Sequence, residues 1–301
     1  MVVTLAGGTG GAKLAAGLHE LLGPDQLTVI ANTGDDVEIY GVHVSPDPDL
    51  VTYHLAGVID ERGWGIDGDS WRVMGALEAI ERPAWFRLGD RDLAMCLVRT
   101  QELHAGRRLT EAHAEVVKAL GVRAQVLPMS DAPVRTHVKT PAGWRPFQEF
   151  MIVDRAAAPI EAVELRGIEQ AAPPPEALEA IAGADAIVIG PSNPIISIGP
   201  ILAVPGLREA LAASPAPKVA VSPFVGGKAV KGPTDSFMEH AGLERNAQGI
   251  ATAYHGVIDG LIADEEAVGV PVLVTDTLMT DAASRTRLAQ QALDHAASLT
   301  R

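Results

Sequence analysis

A glycine-rich turn near the start of the chain, "LAGGTGGAKLAAGL" at residues 5–18, is the first stretch whose residue types could do chemistry. Glycines lack a Cβ, so a phosphate can approach their N–H groups, and the dipole of a following helix favours the anion. The turn lacks the third glycine of G-x-G-x-x-G, and Ala12 and Leu14 flank Lys13 where a P-loop needs glycine and Ser or Thr. We interpret it as an anion-binding turn, with packing alone as the alternative. The candidate phosphate-binding residues are Gly8, Thr9, Gly10, Gly11 and Lys13.

A second loop, "IGPSNPIISIGP" at residues 189–200, is another candidate for anion binding. It follows the apolar run "DAIVI", and ligands of open α/β sheets collect at the carboxyl ends of such strands. Three prolines stiffen the loop, and a purely structural turn would not need so many polar groups between them. The two loops together predict a site for one nucleotide diphosphate. The further nucleotide-binding candidates are Gly190, Ser192, Asn193, Ser197 and Asn32, which follows the second predicted strand.

An acidic segment, "NTGDDVEIYGVHVSPDPDL" at residues 32–50, supplies candidate metal ligands. Pro46 and Pro48 each precede an aspartate and are expected to hold the backbone extended. Alternate residues of an extended segment face one side, so Asp47 and Asp49 are predicted to converge on one point. Mg²⁺ is bound by one or two carboxylates together with phosphate oxygens, which fits this pair. An acidic surface loop is the alternative, and we prefer it for Glu38, Asp60 and Glu61.

Three weaker candidates lie elsewhere in the chain. Arg91, in "FRLGDRDLA", stands where a helix begins and either turns inward to an anion or pairs with a neighbouring aspartate on the surface. Trp64 either stacks on a flat ring or packs in the core. Lys228 and Lys231 either reach a phosphate or are solvated.

The composition excludes several classes of function. There are 24 Lys and Arg against 38 Asp and Glu, a net charge of −14, which excludes the basic footprint of nucleic-acid and anionic-membrane binding. The single cysteine, Cys96, cannot form an intramolecular disulfide and is expected to pack in the core. No signal peptide or membrane span is visible, so we expect a soluble cytoplasmic protein. The nine histidines show no zinc spacing.

The pattern of apolar residues predicts an α/β, Rossmann-like fold: a mostly parallel sheet with helices on both faces, plus a helical insertion subdomain. Apolar runs at "MVVTLA" and "LTVIANT" flank a helix, which makes a βαβ unit. The runs "VRTHVKT" and "WRPFQEFMI" are predicted to be the two strands of a hairpin around "PAG" at residues 141–143, and strand–helix alternation resumes after it. We predict a nucleotide-binding core at 1–45 and 121–301, and a mainly helical insertion at 46–120 that carries acceptor-site residues.

Seven motifs in order resemble one known family. "AGGTGGAKL", "NTGDD" with "SPDPD", "LGDRDLA", "LPMSDAPV", "IGPSNPIISIGPIL", "VAVSPFVGGKAVKGP" and "TDTLM" resemble the 2-phospho-L-lactate transferase family of coenzyme F-420 biosynthesis. The resemblance implies transfer from guanosine-diphospho-lactate or guanosine-diphospho-enolpyruvate to the hydroxyl of 7,8-didemethyl-8-hydroxy-5-deazariboflavin, with release of GMP. It further implies Mg²⁺, a homodimer, and contacts of Asp49 and Arg91 with the deazaflavin. Asp47, Asp49 and Arg91 are the catalytic candidates, and Trp64 is a further deazaflavin-binding candidate.

Two alternatives stay open at this point. One is a non-catalytic regulator of the gluconeogenesis-factor type, a family that binds nucleotide-sugars. That family has a similar opening motif but not the "LGDRD" motif. An NAD-dependent oxidoreductase needs an acidic residue near Asp35, which is present, and a glycine fingerprint, which is not.

Overall fold

A computed structural model describes residues 1–23, 25–230 and 232–299 of the protein. The sheet strands are short apolar runs, mostly buried on both faces, as is typical of parallel sheets covered by helices. The strands are β1 (Val2–Ala6), β2 (Leu27–Ala31), β3 (Val37–Ile39), β4 (Val42–Val44), β5 (Gln125–Pro128), β6 (Arg135–Thr140), β7 (Gly143–Pro146), β8 (Ala162–Arg166), β9 (Ala186–Ile189), β10 (Lys218–Val221), β11 (Phe224–Val225), β12 (Lys228–Ala229), β13 (Gly260–Ala263) and β14 (Val272–Val274).

Seven of these strands form one parallel sheet in the order β14-β13-β10-β9-β1-β2-β5. From β1 the chain moves outward through β2 to β5, and it then returns to β9 on the other side of β1. The direction of winding therefore reverses between β1 and β9. In open α/β sheets this switch point is where ligands bind, outside the carboxyl ends of the strands.

Helices cover both faces of the sheet, which confirms the predicted fold class. One apolar layer contains α1, α2, α5 and α11, and the other contains α6, α7, α8 and α10. In the described residues every helix is too short or too polar to cross a membrane. The helices are α1 (Gly8–Leu22), α2 (Pro46–Leu55), α3 (Arg72–Ala79), α4 (Asp90–His104), α5 (Leu109–Ala119), α6 (Pro175–Ala182), α7 (Ile198–Ala203), α8 (Leu207–Ala213), α9 (Thr234–His240), α10 (Ala247–Ala253) and α11 (Ala282–Ser298).

Residues 46–120 contain helices, as expected, but they pack in two ways. α2 and α5 contribute Val51 and Val117 to the apolar layer on one face of the sheet. α3 and α4 pack with the β3–β4 hairpin around a separate small core that includes the buried Cys96. The domain boundaries at 45 and 120 stay a prediction.

The strands outside the main sheet were predicted less well. The β6–β7 hairpin is confirmed, but its second strand ends at Pro146, and Glu149–Val153 form a π-helical turn where strand had been expected. No strand is predicted at β3, β4, β8 or β12, which pair antiparallel outside the parallel sheet.

The loops that follow β1 and β9 lie in direct contact because glycine lines both. A Cβ on Gly10 would lie 2.1 Å from the carbonyl oxygen of Pro191, and one on Gly190 would lie 2.8 Å from the Cα of Gly11. Real Cβ atoms do not approach this closely, so both positions require glycine. The two loops therefore form one surface at the switch point.

We predict that Gly10→Ala lowers the free energy of unfolding by about 1–3 kcal/mol, because the new methyl group must displace the backbone of Pro191. Gly75→Ala in α3 is the matched control: it meets no atom within 4 Å and should gain up to about 1 kcal/mol from better helix propensity. Urea unfolding of both variants measures the difference. Equal stability of the two variants would contradict the proposed contact.

Candidate functional site

A cavity of about 530 Å³ lies outside the carboxyl ends of β1 and β9. It brings together the two loops predicted to bind phosphate, although they are about 180 residues apart in the chain. Seven of the predicted phosphate-binding residues line it: Gly8, Thr9, Gly10, Lys13, Ser192, Asn193 and Ser197.

Three predicted nucleotide-binding residues do not line this cavity. Gly11 and Gly190 pack against each other beneath the loops, where their role is to permit close approach. Asn32 is fully buried, and its amide donates to Asp47 Oδ2 at 2.9 Å while its Oδ1 accepts from the Gly34 N–H at 2.8 Å. It therefore positions a carboxylate, and the structure does not place it on the cavity wall.

The polar side chains of the second loop hold the loops in place. Ser192 Oγ donates to the Gly7 carbonyl at 2.5 Å, which joins the two loops. Asn193 Oδ1 accepts from the Ile195 N–H at 2.9 Å and so shapes its own turn. Their contact with a nucleotide stays a prediction.

The lysines predicted near phosphate differ in position. Lys13 lines the cavity, and its ammonium donates to the Met279 carbonyl at 2.8 Å, which joins α1 to the segment after β14. Lys228 lies exposed on the β11–β12 hairpin. Lys231 lies outside the described residues.

Two buried carboxylates face the large cavity, Asp35 and Asp47. Asp47 accepts from the Gly8 N–H, at the first turn of α1, at 2.7 Å. Burial raises the pKa of Asp47 to about 6 against the opposing hydrogen bonds from Asn32 and Gly8. Burial and the nearby charge of Asp47 raise the pKa of Asp35 well above its usual range. Asp35 Oδ1 has no hydrogen-bond partner among the described residues.

The expected extended conformation at Pro46–Asp49 is wrong. These residues form the first turn of α2, where proline is tolerated because the first helical N–H groups have no partner inside the helix. Residues two apart in a helix point to nearly opposite sides, so Asp47 and Asp49 do not converge. Both Asp49 oxygens instead accept from the guanidinium of Arg99, at 2.6 and 2.7 Å.

The buried ion pair of Asp49 and Arg99 belongs to a fully hydrogen-bonded network between α2, α4 and α5. Burial, with the neighbouring charge of Arg99, lowers the pKa of His113 to about 3, so its ring is neutral. Its Nδ1 accepts from Arg99 at 3.2 Å, which leaves Nε2 as the donor to Thr52 Oγ1 at 3.1 Å. Asp49 therefore holds three helices together.

One group of three potential metal ligands occurs in the described part of the chain, Asp49, Asp92 and Cys96, with ligand atoms within 4.8 Å of one another. Arg99 already supplies a positive charge there, because its guanidinium contacts Asp49 and donates to Cys96 Sγ at 3.7 Å. Burial raises the pKa of the Cys96 thiol, which disfavours the thiolate that a metal needs. This group does not fit a cation.

A second cavity, of about 150 Å³, lies beside the first between α2 and α4, and Asp47 lines both. Trp64 stands at its rim, 43% exposed, and the Arg62 guanidinium lies 4.6 Å from the centre of its ring. The wall combines apolar, aromatic and acidic side chains. The lining residues are Val44, Pro46, Asp47, Asp49, Leu50, Tyr53, Trp64, Gly65, Phe86, Arg87, Leu88 and Asp92.

Arg91 lines neither cavity. It lies exposed in the first turn of α4, and its guanidinium donates to the Asp67 carbonyl at 3.0 Å. Its neighbour Asp92 is buried and lines the second cavity. Asp69 accepts from the N–H groups of both residues, at 2.9 and 3.0 Å, and so fixes the start of this helix. The contact of Arg91 with an acceptor stays a prediction.

Sequence reasoning missed Asp35 and Asp92 as site residues. "NTGDD" directly follows β2, so Asp35 stands at the carboxyl edge where ligands collect, which was an available signal. Asp92 gave no comparable signal, because its burial depends on packing of α4 against α2.

Comparison with known families gives one match over nearly the whole chain. A family model described as "2-phospho-L-lactate transferase CofD" matches residues 2–294. A phosphoenolpyruvate transferase of Kitasatospora aureofaciens is 45% identical, covering 96% of this chain and 97% of the relative. A 2-phospho-L-lactate transferase of Methanosarcina mazei is 37% identical, covering 96% and 98%.

Among solved structures, a UPF0052-family protein from Bacillus halodurans matches with a TM-score of 0.60 at 21% identity, covering 97% of this chain and 98% of the other. At this identity the likeness shows a shared fold. It carries no information on activity.

His43 supplies a pH-dependent contribution to stability beside the site. Its ring nitrogens contact Asp36 at 2.9 Å and Glu38 at 2.6 Å. Burial lowers the pKa of His43, but these carboxylates outweigh burial and raise it to about 9. Because the folded-state pKa lies above the unfolded one, this stabilisation is complete below the unfolded pKa and is lost as pH rises through 9.

We predict that the free energy of unfolding of His43→Gln is lower than that of the wild type by about 2 kcal/mol at pH 6, and that this difference shrinks as pH rises through 9. Urea unfolding across this range measures the difference. The exposed His240→Gln is the matched control and should track the wild type. A His43→Gln deficit that is constant with pH would contradict the charged state of His43.

Proposed function

The chain belongs to the 2-phospho-L-lactate transferase CofD family, and from this membership we propose its reaction. The protein transfers a phosphoenolpyruvyl or phospholactyl group from a guanosine-diphospho donor to the hydroxyl of 7,8-didemethyl-8-hydroxy-5-deazariboflavin, and GMP leaves. This is a step of coenzyme F-420 biosynthesis. The proposed homodimer follows from the family resemblance alone.

The position of Asp47 between two unlike cavities is the observation that carries this proposal. One cavity is large and lined by the loops that follow β1 and β9, as suits a diphosphate. The other is small, with aromatic and apolar walls, as suits part of a flat ring compound. A group that passes from a donor in the first to an acceptor in the second must pass Asp47.

This geometry also predicts how the donor is oriented in the large cavity. The phosphate that is transferred lies near Asp47, so the nucleoside extends away from the acceptor cavity. On that side the large cavity is lined by Ser222, after β10, and by Thr277, after β14. We place the guanosine there.

The acceptor ring is proposed to lie against Trp64, Phe86 and Leu88, with its hydroxyl toward the buried carboxylates. These three side chains line the same cavity, and Trp64 is 43% exposed at the rim, where a ring can stack on it. Asp49 lines this cavity as well, although both of its oxygens accept from Arg99.

The residues present fit Mg²⁺, but with Asp35 in place of Asp49. Asp35 and Asp47 face the large cavity, and Asp35 Oδ1 is buried without a hydrogen-bond partner in the part of the chain that the structure describes, an arrangement that a cation would stabilise. Two carboxylates with phosphate oxygens are a typical Mg²⁺ donor set. The ion, when bound, neutralises charge on the donor phosphates. Asn32 and the Gly8 N–H keep Asp47 oriented, and the glycine loops position the diphosphate.

We favour the enolpyruvyl donor over the lactyl donor. Four relatives at 40–45% identity are named phosphoenolpyruvate transferases, and four at 37–40% are named 2-phospho-L-lactate transferases. The higher identities on the enolpyruvyl side support this preference.

A direct assay tests the proposed function. Purified protein with Mg²⁺ and the deazaflavin is given both guanosine-diphospho donors in competition, and GMP and product are measured by mass spectrometry. We expect GMP release that depends on the deazaflavin, with preference for the enolpyruvyl donor. Tight binding of a UDP-sugar with no GMP release would favour the regulator instead.

We predict that Asp35→Asn weakens divalent-cation binding at least tenfold, because it removes one of two carboxylate ligands. Mn²⁺ binding in the presence of GDP, measured by electron paramagnetic resonance, reports this independently of activity. Asp276→Asn is the matched control, since Asp276 lies exposed after β14. An unchanged Mn²⁺ affinity of Asp35→Asn would refute the ligand assignment.

A further inference from the structure

Three carboxylates line the small cavity, and they differ in what their oxygens already bind. Asp47 accepts from the Gly8 N–H with Oδ1 and from the Asn32 amide with Oδ2. Asp49 uses both oxygens on Arg99. Asp92 accepts from the Tyr53 hydroxyl with Oδ1, at 2.6 Å. Its Oδ2 accepts no hydrogen bond from any donor in residues 1–23, 25–230 and 232–299.

The backbone and one hydroxyl group hold Asp92 in place. Its N–H donates to Asp69 Oδ2 at 3.0 Å in the first turn of α4. Tyr53 on α2 is 2% exposed, and its hydroxyl donates to Asp92. Asp92 itself is 8% exposed, and it shares the small cavity with Asp47. A free carboxylate oxygen is thereby fixed close to where the transferred group must pass.

We infer that Asp92 accepts the proton of the acceptor hydroxyl during transfer, and that Tyr53 positions it. This inference rests on the proposed function. The hydroxyl oxygen forms a bond to the donor phosphorus that carries the enolpyruvyl or lactyl group. The bond from that phosphorus to the bridging oxygen breaks, and GMP leaves with the electron pair. The hydroxyl proton passes to Asp92 Oδ2. Positioned carboxylates serve this purpose in other phosphoryl transfers.

The surroundings of Asp92 suit a proton acceptor near neutral pH. Burial, with the neighbouring charge of Asp49, raises the pKa of Asp92 to about 7, and the hydrogen bond from Tyr53 and the charge of Arg99 oppose this rise. A base is most effective when its pKa lies near the working pH. The titratable and charged groups around it are Tyr53 and Asp49 on α2, Cys96 and Arg99 on α4, Asp69 before α3, and Arg87 and Asp47 on the cavity wall.

The first test is Asp92→Asn, which keeps the shape of the side chain and removes the base. We expect kcat to fall by a factor of about 10²–10⁴. The KM for the deazaflavin and the affinity for GDP should stay within about threefold of wild type. Asp67→Asn is the matched control, an exposed aspartate before α3, and should keep full activity. In Asp92→Ala, added formate should restore part of the rate.

The second test keeps the Asp92 carboxylate and removes the hydroxyl group that donates a hydrogen bond to it. Tyr53→Phe takes away a hydrogen bond that favours the ionised form, so the pKa of Asp92 rises. The acidic limb of kcat/KM for the acceptor should therefore move to higher pH by about half a unit or more. A purely structural role of Tyr53 would lower activity without moving the limb.

The outcomes separate this inference from the proposed function. A wild type that binds GDP but transfers nothing refutes the proposed function, and with it the role of Asp92. A wild type that transfers, with Asp92→Asn within threefold of its kcat, overturns the inference alone. An acidic limb that is unmoved in Tyr53→Phe also overturns it. A large loss in Asp92→Asn together with formate rescue of Asp92→Ala supports it.

Discussion

The hydrogen bond from the Gly8 N–H to Asp47 is the interaction on which the site depends. It places a carboxylate at the N-terminus of α1, where the helix dipole favours an anion. In many nucleotide-binding sheets a phosphate takes that place. Here a phosphate would have to share it with Asp47 and the nearby Asp35. Anionic groups this close together in a buried place repel one another, and this repulsion is the electrostatic reason for the cation that we propose between them.

The site places buried carboxylates with raised pKa values beside a rigid, fully hydrogen-bonded ion pair. Asp35, Asp47 and Asp92 are buried carboxylates whose pKa values are raised by burial, so their charged forms oppose folding near neutral pH. The Asp49–Arg99 pair, by contrast, is satisfied at every oxygen and supported by His113. Such pairs fix geometry more than they add stability. The satisfied network thus keeps α2 in place while Asp35, Asp47 and Asp92 face the cavities.

The local pattern of apolar residues was sufficient to predict the strands of the sheet. The features that could not be predicted depend on contacts between residues distant in the chain. β1, β2 and β9 are continuous apolar runs, so their assignment needed no distant partner. At Pro46–Asp49 the alternating prolines favour an extended backbone, although proline in a first turn followed by aspartate equally indicates a helix start. The partner of Asp49, Arg99, lies 50 residues away, and no spacing rule connects them. The loops after β1 and β9 were predicted to meet because the switch point of a doubly wound sheet is a topological rule.

The two halves of the site have separate structural origins. The loops after β1 and β9 belong to the sheet, and their close contact through Gly10, Gly11 and Gly190 depends on backbone approach and leaves little room for variation. The small cavity is built from α2, α4 and the segment carrying Trp64. A protein at 21% identity shares the fold over 97% of this chain. Under the proposed function the helices around the small cavity would select the acceptor and the loops of the sheet would hold the donor, and Asp47, at the start of α2, lines both cavities.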